Sequence, residues 1–186
     1  MSSQMTVSRL GRPRDCICSV FERCSPAEGE TRLIISDSVA NDIVRHMWQC
    51  LPREGVGLLA TSAMGPNTAA RRFYPGRNLD ASPTRYTMDP GDVLAALRDM
   101  ERRRMRLLAI VHSHPVTPPV PSASDLSEAA VPGALSLIVG LTPVIVLRAW
   151  QFVFNDAGIG VGGEEVQIVS FCDSSSTAAG LQFANC

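Results

Sequence analysis

The sequence predicts a fold of the α/β class, a single-domain, mixed-sheet α-β-α sandwich. Two observations lead to this prediction. The chain has 186 residues, which is enough to bury one core. Apolar runs of strand length alternate with segments whose apolar residues recur at helical spacing. The elements follow in the order β-α-β-β-β-α-β, a loop, and then α-β-β, which implies a mixed sheet with helices packed on it.

The first half of the chain is predicted to contain one helix among four strands. Ser36 or Ser38 caps this helix, its apolar residues recur at helical spacing, and Pro52 ends it. The turn-rich residues 78–83 separate the last two strands. The four strands are expected at residues 32–35, 55–60, 69–77 and 84–88.

The second helix is predicted to begin after Asp89, with Pro90 at its first position, where proline is favoured. The run Arg102–Arg104 stands at its C-terminal end, where cations complement the helix dipole, although the run could also meet an acidic partner. The apolar residues expected to pack one face of the helix are Val93, Leu94, Leu97 and Met100.

Apolar runs also predict the strands of the second half, at residues 107–111, 135–139, 144–154 and 165–169. The strand at 144–154 is expected at an edge of the same sheet. A short helix is expected at residues 126–130. Residues 31–170 would then form the domain, between a flexible N-terminal extension (1–30) and a flexible C-terminal tail (171–186).

Charge and composition argue against several functions. The 17 basic and 18 acidic residues give a net charge of −1, whereas a general nucleic-acid binder shows a basic excess. All basic residues are arginine, so the chain offers no lysine amine for isopeptide modification. No apolar run reaches the length of a membrane span, and the N-terminus lacks a signal-peptide core. The six cysteines form no regular disulfide framework, which favours a cytoplasmic protein.

Two cysteine patterns suggest further metal sites but have simpler explanations. Cys16 and Cys18, with Cys24, match no ordinary zinc spacing. His46 and Cys50 stand four residues apart on the first helix and could pair on a metal. An ordinary amphipathic helix explains this second pair better.

The residues most able to carry chemistry follow the apolar run 107–111. That run predicts a strand leading into His112 and His114, whose imidazoles point to the same face because strand side chains alternate. Asp125 supplies a carboxylate from the far side of a proline-stiffened loop. Two histidines and one carboxylate leave the fourth tetrahedral position open, as a catalytic zinc ion requires.

Each half of this pattern also has a simpler explanation. A lone His-x-His pair is more often two unrelated histidines, and Ser122-x-x-Asp125 is also a capping box at the start of a helix. A capping box is compatible with metal binding because it would hold the aspartate still. The joint spacing, with a strand in front, favours the metal site.

At these residues the sequence resembles the JAMM (MPN+) metalloproteases. The spacing H-x-H-x7-S-x-x-D, which begins at His112, is matched at every defining position. A Pro-x-Glu that ends at Glu54 and the segment 86–90 are also similar, and the resemblance covers residues 33–154. Pro119 departs from the pattern, where alanine is expected in the bacterial branch, and this departure bears only on the path of the loop.

The resemblance implies a fold of the MPN (cytidine deaminase-like) type, with a curved sheet flanked by helices, and the activity of a zinc peptidase. By the same resemblance, His112, His114 and Asp125 bind one zinc ion (Zn2+) per chain. Glu54 is then the general acid/base, and Ser122 helps to stabilise the tetrahedral intermediate.

The short chain and its Pro-Ser-x-x-Asp resemble the bacterial branch of the family, some of whose members process ubiquitin-fold sulphur-carrier proteins. The expected partner is therefore a small carrier with a C-terminal Gly-Gly, cleaved after that terminus, and neither nucleic acid nor membrane. A homodimer is left open. The alternatives are an isopeptidase for another ubiquitin-like modifier and a metal-free MPN scaffold module, although such modules typically lose ligands that are all present here.

Overall fold

The computed structural model describes residues 31–129 and 131–171, and its elements follow the predicted order. Ser36 caps the first helix and Asp89 caps the second, both as predicted. The elements are β1 (Arg32–Ser36), α1 (Asp37–Gln49), β2 (Val56–Thr61), β3 (Asn67–Ala69), β4 (Arg72–Gly76), α2 (Pro90–Arg102), β5 (Arg106–His114), α3 (Ala123–Ser127), β6 (Leu135–Gly140), β7 (Val146–Phe154) and β8 (Gly160–Phe171).

The strands form one mixed sheet in the order β3-β1-β8-β7-β6-β5-β2-β4. β5 lies in its interior, antiparallel to β2 and parallel to β6. Consecutive side chains of β2 point to opposite faces, so Leu59 packs with α1 and Leu58 packs with α2. The predicted α-β-α sandwich is confirmed.

Helix α1 leads the chain to the start of β2, where Val56 pairs with His112 of β5. Its buried residues, Ile43 and Met47 among them, pack on the sheet. The helix ends at Gln49, ahead of Pro52. A Cβ on Gly55 would lie 2.6 Å from Met47 Sδ, so glycine lets the chain pass close beneath the helix.

The predicted packing face of α2 is wrong in part. Met100 is buried and Val93 partly so, but Leu94 and Leu97 are 48% and 43% exposed. The helix instead places the small Ala96 against Leu58, Ala60 and Tyr74. The face of the helix that packs consists of Val93, Ala96 and Met100, and it is narrower than the face predicted from the sequence. The two leucines lie beside it.

The strand predicted at residues 84–88 is wrong, because only an isolated bridge between Asn78 and Met88 occurs there. The Asn78 side chain takes the hydrogen bonds that a ladder would use: its amide donates to Arg85 O (3.1 Å) and its Oδ1 accepts from Thr87 N (3.0 Å). The segment is therefore a side-chain-braced loop. The predicted strand 69–77 divides into β3, which pairs with β1, and β4, which pairs with β2.

Strand β7 is not at an edge of the sheet, contrary to the prediction, because it lies between β6 and β8. β8 is longer than predicted, starts at Gly160 and pairs with both β7 and β1. The glycines near its start interrupt the apolar pattern, so the sequence predicts only the later part of this strand. A Cβ on Gly163 would lie 3.2 Å from the ring of Phe152, so a glycine suits that close crossing.

The N-terminal extension and C-terminal tail that the sequence predicts to be flexible, and the Cys16, Cys18 and Cys24 pattern, lie outside the described residues, except that Phe171 ends β8. Within the described ranges, no helix is long and apolar enough to cross a membrane.

Candidate metal centre

Two of the predicted ligands stand at the end of β5. His112 and His114 are 0% and 5% exposed, and their Nε2 atoms lie 3.3 Å apart. β5 is hydrogen-bonded along this stretch to β6, where His112 is paired with Ile138 and His114 with Gly140. The sheet interior thus fixes the backbone beneath both imidazoles.

Asp125 approaches the histidines from α3. Its Oδ1 lies 3.2 Å from His112 Nε2, and its Oδ2 lies 3.5 Å from His114 Nε2. Ser122 and Asp125 also form the capping box: Ser122 N donates to Asp125 Oδ2 (2.7 Å), and Asp125 N donates to Ser122 Oγ (3.2 Å). The helix begins at Ala123 rather than at residue 126, directly after this cap. Capping and convergence on the histidines therefore occur together.

The donor set fits a tetrahedral metal. The two Nε2 atoms lie 3.3 Å apart, while the contacts of 3.2 and 3.5 Å run to different oxygens of Asp125; with one atom taken from each residue, the three donors lie within 4.8 Å of one another. An ion about 2.0–2.1 Å from each donor, as for zinc, has tetrahedral edges of about 3.3–3.4 Å. Among the described residues, this is the one group of three or more His, Cys, Asp or Glu side chains close enough to hold an ion.

The two imidazoles are oriented in different ways. His114 Nδ1 lies 2.8 Å from Pro118 O, and because a carbonyl only accepts, this nitrogen carries the proton and Nε2 presents its lone pair. Within the described residues, His112 Nδ1 is buried without a hydrogen-bond partner. Its ring instead stacks on Tyr86, with centroids 4.7 Å apart and planes 26° from parallel.

In the metal-free protein the protonation states of His112 and Asp125 suit metal ligands, whereas at His114 a proton competes with a metal ion. Burial lowers the pKa of His112, which favours the neutral imidazole. Burial would do the same to His114, but hydrogen bonds to Asp125 and Pro118 O outweigh it and raise its pKa. Burial opposes the charge on Asp125, yet hydrogen bonds from both histidines hold its pKa well below the usual range. The carboxylate is therefore charged at neutral pH.

Glu54 is buried beside this group, at 4% exposure. Val56 of β2 is paired with His112, and the same antiparallel register continued by two residues places Glu54 opposite His114. Hydrogen bonds from Gly55 N to Ser113 Oγ (2.8 Å) and from Ser113 N to Gly55 O (3.0 Å) extend the pairing. Burial raises the pKa of Glu54 to about 7; the charge of Asp125 adds to this increase, and that of His114 opposes it.

The proline-rich loop between the ligands is held by its carbonyl groups. Pro115 O accepts from Thr142 Oγ1 (2.8 Å), and Pro119 O accepts from Trp150 Nε1 (3.2 Å). The Pro119 ring packs on Gly140, where an added Cβ would lie 2.8 Å from its Cδ. Pro119, the departure from the family pattern, is thus accommodated by a glycine of β6.

Three residues of the site were not predicted from the sequence: Tyr86 against His112, Ser113 against Gly55, and Asn78, whose Nδ2 donates to Glu54 O (3.0 Å). Of these three, only Tyr86 could have been found from the sequence, because it lies in the segment 86–90 that resembles the family. The His46 and Cys50 pair gains no third ligand among the described residues, because His46 Nε2 is hydrogen-bonded to Val56 O (3.0 Å).

Residues 36–153 match the family described as prokaryotic homologs of the JAB domain. The chain belongs to this family. The resemblance to the JAMM (MPN+) proteases is thereby confirmed. A solution structure of a protein from Desulfitobacterium hafniense superposes with a TM-score of 0.65 at 31% identity, covering 76% of this chain and 94% of that one.

Two characterised relatives are similar over part of the chain. An 85-residue stretch, 45% of the chain, is 42% identical to a probable TtuB-protein conjugate cleaving protease of Thermus thermophilus and covers 54% of it. A 109-residue stretch, 58% of the chain, is 35% identical to the CysO-cysteine peptidase of Mycobacterium tuberculosis and covers 72% of it. The chain thus spans about half the length of the first relative.

Proposed function

We propose that this protein is a zinc metallopeptidase that hydrolyses the peptide or isopeptide bond after the Gly-Gly terminus of a ubiquitin-fold sulphur-carrier protein. The observation that carries the proposal is the convergence of His112, His114 and Asp125, whose ligand atoms lie within 4.8 Å of one another, with Glu54 buried beside them. The names of both relatives, a conjugate-cleaving protease and a CysO-cysteine peptidase, support the substrate class.

His112 and His114, through Nε2, and Asp125, through its carboxylate, would hold the zinc ion. When bound, the ion supplies Lewis acidity, which polarises a scissile carbonyl and lowers the pKa of water toward about 7. Three protein ligands leave one tetrahedral position for the reacting groups, as catalytic sites require.

Glu54 moves the proton. A base for the attacking water is needed, and Asp125 is already a ligand. Glu54 accepts the proton of water on its carboxylate and delivers it to the nitrogen of the leaving amine. Burial raises its pKa to about 7 in the metal-free protein, and the charge of a bound zinc ion would lower it from there, toward the carboxylate that accepts the water proton. The hydrogen bonds at Glu54 N to Ser82 O (3.1 Å) and at Glu54 O from Asn78 Nδ2 hold its backbone in place.

Ser122 donates a hydrogen bond to the oxyanion that forms on the substrate carbonyl. Its cap uses only a lone pair of Oγ, which accepts from Asp125 N. The hydroxyl proton remains available, either to Ser124 Oγ at 2.9 Å or to a substrate oxygen. Capping and oxyanion stabilisation are therefore compatible in one side chain.

The protein would act in the cytoplasm, as its six cysteines without a regular disulfide framework suggest. An isopeptidase acting on another ubiquitin-like modifier uses the same groups and differs only in the leaving amine. A metal-free scaffold module needs none of them, yet Glu54, His112, His114, Ser122 and Asp125 are all present.

The direct test is Glu54→Gln, which keeps the side-chain volume and removes the ability to carry a proton. We expect zinc content to be unchanged and hydrolysis of a Gly-Gly-containing carrier fusion to fall by about 10²–10⁴, the range of general acid–base groups. Mass spectrometry of the fusion and metal analysis of the variant measure the two effects. Cleavage at the wild-type rate would contradict the proposed role, and loss of zinc would make Glu54 a ligand.

A further inference from the structure

A small cleft opens against Asp125 on the side of α3. Its volume is about 80 Å³, and it is lined by Thr84, Arg85, Tyr86, Ser124, Asp125 and Glu128. The cleft is therefore large enough to admit a small polar group such as a carboxylate. Arg85 is the one cationic side chain in this lining.

Arg85 spans the cleft and is only loosely engaged. Its Nη2 donates to Glu128 Oε1 at 3.1 Å, with the two side chains 64% and 56% exposed. Within the described residues this is the only hydrogen bond of the guanidinium group. An exposed ion pair of this kind contributes little to stability, so a bidentate ligand carboxylate can replace it readily.

The backbone of Arg85 is tied to the proposed general base. Asn78 Nδ2 donates both to Glu54 O (3.0 Å) and to Arg85 O (3.1 Å). Asn78 Oδ1 accepts from Thr87 N and from Asp80 N (2.9 Å), which fixes the amide. One side chain thus holds the backbone of Arg85 close to that of Glu54.

We propose that Arg85 binds the α-carboxylate of the residue that follows the scissile bond. The site then favours carriers extended by a single amino acid over isopeptide conjugates. The leaving amine of a single amino acid has its carboxylate two bonds away, whereas the amine of a lysine side chain has none nearby. Among the side chains that line the cleft, Arg85 is the one that can neutralise a substrate carboxylate, because the other charged ones are Asp125 and Glu128. This inference rests on the proposed peptidase function and specifies its substrate class.

The reaction remains a simple hydrolysis. One water molecule adds its oxygen to the carbonyl carbon of the second glycine as the C–N bond breaks. The water proton passes through Glu54 to the nitrogen, so that the products are the carrier carboxylate and a free amino acid. Arg85 only holds the leaving residue.

The test uses binding rather than turnover. The zinc-loaded Glu54→Gln protein is titrated with the peptide acetyl-Leu-Gly-Gly-Ala, as the free acid and as the C-terminal amide, by calorimetry. We expect the acid to bind about 10-fold tighter or more, the range of a charge-assisted hydrogen-bonded pair. Adding Arg85→Gln should reduce the ratio to about one. Arg45→Gln, which breaks another exposed pair at 3.1 Å, is the matched control and should preserve the ratio.

Two results would overturn the inference: equal or unmeasurable affinities in the Arg85-containing protein, or an acid preference that survives Arg85→Gln and so comes from the metal. The wild-type protein tests the proposed function separately. If it hydrolyses carrier fusions with long C-terminal extensions as fast as those with a single residue, the peptidase function stands and this inference fails. If it hydrolyses neither, the proposed function itself fails.

Discussion

The two halves of the candidate site are built by different means. His112 and His114 stand on β5, within a sheet whose ladders to β2 and β6 fix their backbone. Ser122 and Asp125 stand on the five-residue α3, which is held by its capping box and by the braced proline loop. Backbone ladders tolerate side-chain changes, whereas side-chain caps do not. Substitution of Asp125 should therefore disturb both the ligand geometry and the fold, because Asp125 is a candidate ligand and also one arm of the cap.

Removal of one ligand from each half should have the largest effect. We expect His114→Ala and Asp125→Ala each to lower zinc affinity by more than about 100-fold, beyond the range for residues that only orient a ligand. Asp125→Ala should also lower the stability of the metal-free protein, because it removes one arm of the capping box, a loss of about 1 kcal/mol. Chelator competition and thermal melting measure these effects.

Protons should compete with zinc for the wild-type site. The pKa of His114 is raised in the metal-free protein, so its protonated form persists to a higher pH than usual. Zinc affinity should accordingly decline as the pH falls through the region around neutrality. Unchanged zinc retention in His114→Ala and in Asp125→Ala would exclude these two residues as ligands.

The strand half of the site follows from the sequence because its geometry is local. The apolar run 107–111 predicts β5, and alternation along a strand brings His112 and His114 to one face. Asp125 is also predictable, since its capping box is a local pattern with a fixed spacing.

The surroundings of the ligands could not be predicted in the same way, because they depend on tertiary register. The segment 84–88 has the composition of a strand, but the side chain of Asn78, several residues away, bonds its backbone and holds it as a loop. Ser113 meets Gly55 through the pairing of β5 with the approach to β2. The two exposed leucines of α2 likewise depend on which stripe of the helix meets the sheet.

Ser122 gives a smaller effect that separates two roles in the loop half. If it donates to the oxyanion, Ser122→Ala should keep its zinc and lose about 10²–10³ in kcat. If it is only a cap, the variant should lose about 1 kcal/mol of stability with kcat unchanged. Zinc content, melting temperature and kcat on this one variant distinguish the outcomes. A lower melting temperature with full activity would leave Ser122 as a cap alone.

Substitution of Tyr86 should give the smallest effect, and it tests whether different contacts orient the two histidines. His114 is oriented by a hydrogen bond to Pro118 O, while His112 is oriented by its stack on Tyr86 and has no partner for Nδ1 among the described residues. Tyr86→Leu keeps an apolar side chain but removes the stacked ring. We therefore expect zinc affinity to fall by about 10-fold, the lower end of the range for residues that orient a ligand.

Tyr86→Phe is the matched control, because it retains the ring and loses only the hydroxyl group. We expect it to restore zinc affinity to nearly the wild-type value and to restore the visible spectrum of the cobalt-substituted protein, which reports the ligand geometry. A role limited to packing would lower the melting temperature of Tyr86→Leu and leave its cobalt spectrum unchanged. An affinity loss in Tyr86→Phe as large as that in Tyr86→Leu would assign the effect to the hydroxyl group, and the stack would then not be what orients His112.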